Sequence, residues 1–360
     1  MKQALIYQKL KNKTVRCQLC SHRCLIPNGK RGICSVRENK NGTLYSLVYG
    51  LAIAANVDPV EKKPLFHFLP GSQTFSIATA GCNFRCSFCQ NWDISQISKG
   101  LKGQIVGQEL PPKKVVAKAL ETGCHSISYT YTEPTIFFEY AIDTAKLAHQ
   151  AGLANIFVTN GYQTPETIKA MKGLIDAANI DLKSFSDEFY QKICGARLQP
   201  VLDSIKLMHN SKIWIEVTTL VVPGQNDSSA ELTKLAKFLA EISKDIPWHI
   251  SRFHPDYQMA DGLPTPEKTL EVAYQIGKKA GLNYVYLGNV ITEDKESTYC
   301  PRCGRLAVRR IGYDVEILAV DKPRGSPRLE RGNRLSSGAG VPAFKRGRCG
   351  KCGESLNIIL

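Results

Sequence analysis

The sequence predicts an α/β protein, a partial (β/α)6-type barrel with cysteine-rich metal-binding modules at its N- and C-terminal ends. Three observations carry this. From about residue 74, short β-branched stretches alternate with longer amphipathic ones. Polar residues gather just after those stretches. Eleven of the 13 cysteines fall into three clusters. These divide the chain into an N-terminal module and connecting segment (1–73), a barrel core (74–290) and a ribbon-like C-terminal module (291–360).

The first module carries Cys17, Cys20, Cys24 and Cys34 in a C-x2-C-x3-C-x9-C pattern. That set can hold zinc or a second iron–sulfur cluster; zinc is slightly preferred because His22 and the basic surroundings suit a structural knuckle. A second cluster would offer an electron relay. The connecting segment DPVEKKPLFHFLPGS (58–72) follows, in which Leu65, Phe66 and Phe68 are expected to pack on the barrel. Glu61, Lys62, Lys63 and His67 would close its floor or rim, or touch substrate.

Strands are expected at 74–79, 126–131, 155–159, 177–182, 213–220, 248–253 and 284–288. Helical segments such as PKKVVAKALETG, TPETIKAMKG and SAELTKLAKFLAEIS separate them, opening with Ser, Thr or Pro and several closing on Gly. Strand–helix alternation implies a parallel sheet, either a full or partial barrel or a doubly wound sheet. The residues after the strands favour a barrel, because there all such loops converge on one face. They are Cys82, Cys86 and Cys89; Thr132 and Glu133; Asn160 and Gly161; Asp181 and Lys183; and His254.

The C-terminal module opens on TYCPRCG (298–304) and closes on GRCGKCG (347–353). Cys300, Cys303, Cys349 and Cys352 read as two knuckles of one four-thiolate site, with zinc or rubredoxin-type iron favoured over free thiols. Between them the basic stretch 321–348, rich in Gly, Ser, Pro and Arg, is expected to be a disordered excursion. Cys124 and Cys194 stand alone and read as small buried hydrophobes.

Composition narrows the class. There is no apolar run of about 18 residues and no secretory pattern at the start, so a cytoplasmic protein is expected, without a membrane partner. In that reducing compartment clustered cysteines are metal ligands or catalytic groups rather than disulfides. The net charge of +15 comes from residues 1–40, at +9, and 321–348, at +6, while the rest sums to zero. Basic ends can steer RNA or an acidic partner, but solvated charge runs explain them as well. Aromatics interleaved with the basic residues for stacking on single strands are lacking, so nucleic acid is not the expected partner.

The loop GCNFRCSFCQNWDI (81–94) is the most specific stretch. Three thiolates at C-x3-C-x2-C on a tight loop can cap three corners of a [4Fe–4S] cube, leaving the fourth iron free. The bland alternative is zinc completed by His67 or His125, against which stands the preference of structural zinc for four closed ligands. CNFRCSFC, with Phe88 before the last cysteine, resembles the radical SAM signature. The resemblance implies Cys82, Cys86 and Cys89 as catalytic cluster ligands and S-adenosylmethionine at the open iron. An external electron donor would supply one electron, and a 5′-deoxyadenosyl radical would then take hydrogen from a protein or small-molecule substrate.

Further motifs resemble the pyruvate formate-lyase activating enzyme branch. YTEPT looks like its second-strand motif, implying that Glu133 receives the methionine amino group, although the usual glycines are replaced. VTNGY implies Thr159 and Asn160, DLK implies Asp181 and Lys183 near the methionine carboxylate, and RFHP implies His254 near the adenosine. CQLCSHRC, GICSVR, NIDLKSF, PWHISRFHPDY and the closing C-x2-C pairs together look like the AmmeMemoRadiSam-system radical SAM enzymes, whose other components are then possible partners. One departure is the 45 residues between Cys303 and Cys349, where that family has a short hairpin. The rival classes are an RNA-binding or RNA-modifying protein and a non-catalytic iron–sulfur scaffold.

Overall fold

The computed structural model describes residues 1–100, 103–292, 294–321 and 344–360. Its centre is a single eight-stranded sheet. We label the strands β1 (Ala54–Pro59), β2 (Gln73–Ala78), β3 (Ser126–Tyr129), β4 (Ala154–Thr159), β5 (Ala177–Asp181), β6 (Trp214–Val221), β7 (Trp248–Arg252) and β8 (Val285–Gly288). Strands β2 to β8 run parallel in sequential order, and β1 adds to β2 antiparallel at one edge. Sequential order is that of a barrel; in a doubly wound sheet it would reverse at a switch point. Among the described residues β1 and β8 do not pair with each other, so the barrel stays open.

One longer helix follows each of β2 to β7: α1 (Pro112–Glu121), α2 (Phe138–Gln150), α3 (Pro165–Met171), α4 (Leu198–Asn210), α5 (Ser229–Ile242) and α6 (Glu267–Lys279). Local chemistry sets their starts. Pro112 and Pro165 occupy first-turn positions, where a missing N–H costs nothing. Ser228 accepts from the Glu231 amide at 3.3 Å, capping α5. Buried Leu232, Leu235, Ala236 and Leu239 then recur at helical spacing and turn that face to the sheet. On α6 a Cβ at Gly277 would sit 2.9 Å from the Trp248 ring, so only glycine lets this helix lie so close to β7.

Along β6 and β7 side chains alternate between the two faces. Trp248 Nε1 donates to Thr219 Oγ1 on one face, while His249 meets Glu216 at 2.7 Å on the other. Segment 60–68 closes the N-terminal end of the strands. Glu216 accepts the amides of Phe66 and His67 at 3.0 and 2.8 Å, and Asn179 donates to the Pro64 carbonyl at 2.7 Å. Lys63, over the Tyr131 ring, pairs with Asp58 of β1 at 2.6 Å.

The first 52 residues form small antiparallel sheets against the barrel. Arg37 ties them to α2 through Glu139, with both ion-pair hydrogen bonds at 2.8 Å. At the other end Val320–Asp321 pairs antiparallel with Arg346–Cys349, which pairs with Ser355–Ile359. The excursion expected at 321–348 lies, from 322 to 343, outside the described residues. Its two flanks are brought side by side by that ladder, which joins knuckles far apart in sequence. No helix among the described residues is long and apolar enough to cross a membrane.

Candidate functional site

The loop after β2 is held by its own backbone. Gly81, at φ +100°, donates to the Ile94 carbonyl at 3.0 Å; a Cβ there would approach Val36 Cγ1 to 2.8 Å, so the chain could not turn otherwise. Arg85 and Ser87 donate to the carbonyls of Cys194 and Ile193 at 2.8 and 3.1 Å. Those acceptors belong to a π-helical turn, Tyr190–Cys194, after β5. From the β7 side, Gln258 donates to the Ser87 carbonyl at 3.1 Å and Tyr257 stacks on Trp92. The turn after β5 and the segment after β7 therefore fix the loop at the C-terminal mouth of the barrel.

Cys82 Sγ accepts from the Phe84 amide at 3.4 Å, and Cys89 Sγ lies 3.3 Å from Ser95 Oγ. Burial, and then the nearby Glu133 carboxylate, push the Cys82 thiol pKa up. Cys86 is raised by its hydrogen bond with Cys194 and by burial, and Cys89 by burial. Such thiols ionise only beside a cation, which is what iron supplies. The three sulfurs do not close to within 4.8 Å of one another, the spacing the C-terminal quartet reaches. Three thiols on one loop can each be seated on a different iron of a cluster. The donor set thus fits an iron–sulfur cluster.

Behind this loop lies a buried polar knot. Glu133 Oε1 accepts from the Thr135 amide at 3.0 Å, from the Thr135 hydroxyl at 2.5 Å and from the Thr159 hydroxyl at 2.8 Å. Its Oε2 accepts from the Asn160 amide at 2.8 Å. Gln163 donates to the Thr135 and Thr159 hydroxyls, and Asn160 Nδ2 donates to Asn83 Oδ1 at 2.7 Å. Burial raises the Glu133 pKa against the pull of these donors. Thr132 donates to the Thr79 carbonyl at 2.9 Å, tying β3 to β2. On the opposite wall Lys183 Nζ pairs with Asp181 at 2.9 Å and lies 5.7 Å over the Phe88 ring. Burial opposes the Lys183 charge, but Asp181 and the thiols of Cys86 and Cys194 outweigh it and hold its pKa well above the usual value.

The structure therefore brings Cys82, Glu133, Thr159 and Asn160 together, and Cys86 with Asp181 and Lys183. His254 is exposed on the loop whose neighbour Tyr257 covers Trp92. His67 and His125 are remote from the cysteine loop's contacts. His67 pairs with Tyr286 and the Asn357 carbonyl in the floor, and His125 lies at the start of β3. Sequence reasoning missed Asn83, Thr135, Gln163 and Cys194. Asn83 and Cys194 become visible only through tertiary contacts; Thr135 was legible in principle, two residues beyond a buried acid at a strand end.

Cys300 Sγ lies 3.6 Å from Cys352 Sγ and Cys303 Sγ 3.7 Å from Cys349 Sγ. Cys17, Cys20, Cys24 and Cys34 line a cavity whose wall includes Asn83, next to Cys82.

The sequence profile described as "Radical SAM superfamily" matches residues 76–236. An uncharacterized protein of Methanocaldococcus jannaschii is 42% identical over all of this chain and all of its own length. The pyruvate formate-lyase-activating enzyme of Clostridium pasteurianum is 24% identical over 53% of this chain and 84% of its own. A crystal structure of a radical SAM methyltransferase from Sphaerobacter thermophilus aligns at TM-score 0.48 and 16% identity over 61% of this chain and 67% of that one.

Proposed function

Because residues 76–236 match the radical SAM superfamily, we propose that this chain binds a [4Fe–4S] cluster on Cys82, Cys86 and Cys89 and S-adenosylmethionine at the iron they leave free. The observation that carries this reading is the backbone-locked three-thiol loop at the mouth of an open barrel, with Glu133 beside Cys82 and Asp181 and Lys183 beside Cys86. When bound, the pair supplies one-electron cleavage of a sulfonium C–S bond and so a 5′-deoxyadenosyl radical that takes hydrogen from a protein or small-molecule substrate.

The chain's own residues bind and orient. Lys183 carries three N–H donors and gives one to Asp181, so two remain for the methionine carboxylate. Glu133 is an anchor: its carboxylate sets the Thr159 hydroxyl and the Asn160 amide, and Oε2, with one donor bound, keeps a lone pair for the methionine ammonium. Asn160 in turn holds Asn83, the residue directly after Cys82. His254, exposed on the loop whose Tyr257 covers Trp92, is free to meet the adenosine.

For the C-terminal quartet we assign one tetrahedral ion, zinc or iron. Four thiolates at about 2.3 Å from one ion stand about 3.8 Å apart, and the two measured pairs are at 3.6 and 3.7 Å. A narrower reading, installation of a glycyl radical in a partner enzyme, is favoured by the similarity to the clostridial activating enzyme.

Anaerobic reconstitution with iron and sulfide, reduction and addition of S-adenosylmethionine tests the reading. Wild-type protein forms 5′-deoxyadenosine and Cys82→Ala does not. An intact, reducible cluster in the wild type that yields no nucleoside would instead favour a non-catalytic scaffold.

A further inference from the structure

The N-terminal quartet has features a zinc knuckle does not need. Cys17 ends the short strand Val15–Cys17, and its amide donates to the Cys24 carbonyl at 3.0 Å, so the segment folds back on itself. Cys20, Cys24 and Cys34 complete the wall of a small, partly enclosed cavity. Among the described residues no three of these sulfurs lie within 4.8 Å of one another, although the same structure draws the C-terminal four that close. His22, which made zinc attractive in the sequence, instead uses Nε2 to donate to the Asn83 carbonyl at 2.9 Å.

Two further observations specify the occupant. Arg37 and Asn83 both line the cavity and are 2% and 1% exposed. In each, one N–H donor, Arg37 Nε and Asn83 Nδ2, is buried without a hydrogen-bond partner. Orphaned buried donors are costly, and two on one cavity call for an acceptor inside it. Thiolate and sulfide sulfurs of a cluster are anionic acceptors, and N–H groups directed at them tune its potential.

We propose that Cys17, Cys20, Cys24 and Cys34 ligate a second, fully coordinated [4Fe–4S] cluster, met by Arg37 Nε and Asn83 Nδ2, which passes electrons to the Cys82 site. Asn83 is the shared wall: Cys82 Sγ is 3.7 Å from its Oδ1 while the residue lines the quartet's cavity. The second cluster gives up one electron as the first is reduced, and a low-potential external donor restores it. Only this relay role rests on the reading of the Cys82 site; the cluster itself does not.

Full-length wild type, Cys82→Ala/Cys86→Ala/Cys89→Ala and Cys20→Ala/Cys24→Ala are reconstituted anaerobically, then assayed for iron, acid-labile sulfide and zinc, and by electron paramagnetic resonance after reduction. The metal of the C-terminal quartet reports that each variant is folded. Wild type is expected to hold about eight cluster irons and each variant about four. The signal left in the triple variant does not shift with S-adenosylmethionine, because no corner is open, whereas the signal left in the double variant does. A folded triple variant without sulfide-bound iron, carrying a second zinc ion, overturns the proposal. If wild type and triple variant hold the same four irons with an unshifted signal, the reading of the Cys82 site fails while the second cluster stands.

Discussion

Removing one charge of the Arg37–Glu139 pair should loosen the N-terminal module from the barrel at a predictable cost. Both side chains are buried, at 2% and 0% exposure, and both ion-pair hydrogen bonds are 2.8 Å long. Glu139 also accepts the Leu5 amide at 2.9 Å. Burial opposes the Glu139 charge, but Arg37 outweighs it and keeps the carboxyl pKa below its ordinary value. Glu139→Gln keeps the shape and strands the guanidinium without a counter-charge, which costs about 3–5 kcal/mol. At about 2–4 °C per kcal/mol for a chain of this order of size, the melting temperature falls by roughly 6–20 °C. Arg37→Met/Glu139→Leu removes both charges and should return to within about 2 kcal/mol of wild type, since apolar replacement of a buried pair is often neutral. Urea titration followed by tryptophan fluorescence, with iron and zinc contents matched, decides. A single-variant loss under about 1 kcal/mol, or a double variant no more stable than the single, would refute the reasoning.

Other expectations concern protons, glycine and sulfur. Burial lowers the His67 pKa to about 4, so the native ring is neutral while the unfolded one, near 6.5, binds a proton first. Stability is full above pH 6.5 and falls by about 3 kcal/mol as the pH drops to 4; acid titration of wild type against His67→Gln should show the loss in wild type alone. Lys63 behaves in the alkaline range: burial, against the pull of Asp58, brings it down to about 8. Between pH 8 and about 10.4 the unfolded chain binds the extra proton, so wild type gains stability relative to Lys63→Met, and a flat difference would exclude this. Gly161→Ala sets a Cβ 2.8 Å from Ile180 Cγ2 at φ +71°, and should cost about 1–3 kcal/mol and weaken S-adenosylmethionine binding measured by calorimetry. Cys194→Ala should keep the full iron content of the Cys82 site, because three thiolates suffice there; loss of that iron would make Cys194 a ligand.

Much of the barrel was legible because its strands are β-branched runs and its helices carry caps, as Ser228 and Pro165 show. Strand β1 was not: Asp58 and Pro59 give it the look of a linker, and an edge is where a sheet tolerates proline. The cysteine loop and the Glu133, Thr159 and Asn160 positions could be read from motif and strand-end placement. The rest was hidden because it depends on closure in three dimensions. Cys194 gains meaning only from the turn that carries it to Cys86, and Arg37 only from the donor it leaves unpaired beside four sulfurs. Spacing within the outer quartets announced metal, while how closely the folded chain brings sulfurs together, 3.6 and 3.7 Å in two C-terminal pairs, is a property no spacing carries.

The floor of the barrel has a consequence for how the chain is made. His67 receives its Asn357 carbonyl from 290 positions further on, and the Ile359 backbone bonds His67 and Leu69 at 2.7 and 2.9 Å. At about 5–20 residues per second a ribosome needs roughly 15–60 s to bridge that gap. Throughout that interval the nascent barrel carries Phe66 and Phe68 under an unfinished base. Closure of the base waits for that distant segment, and a chaperone that shelters it until then would act on the step that commits the chain to its fold.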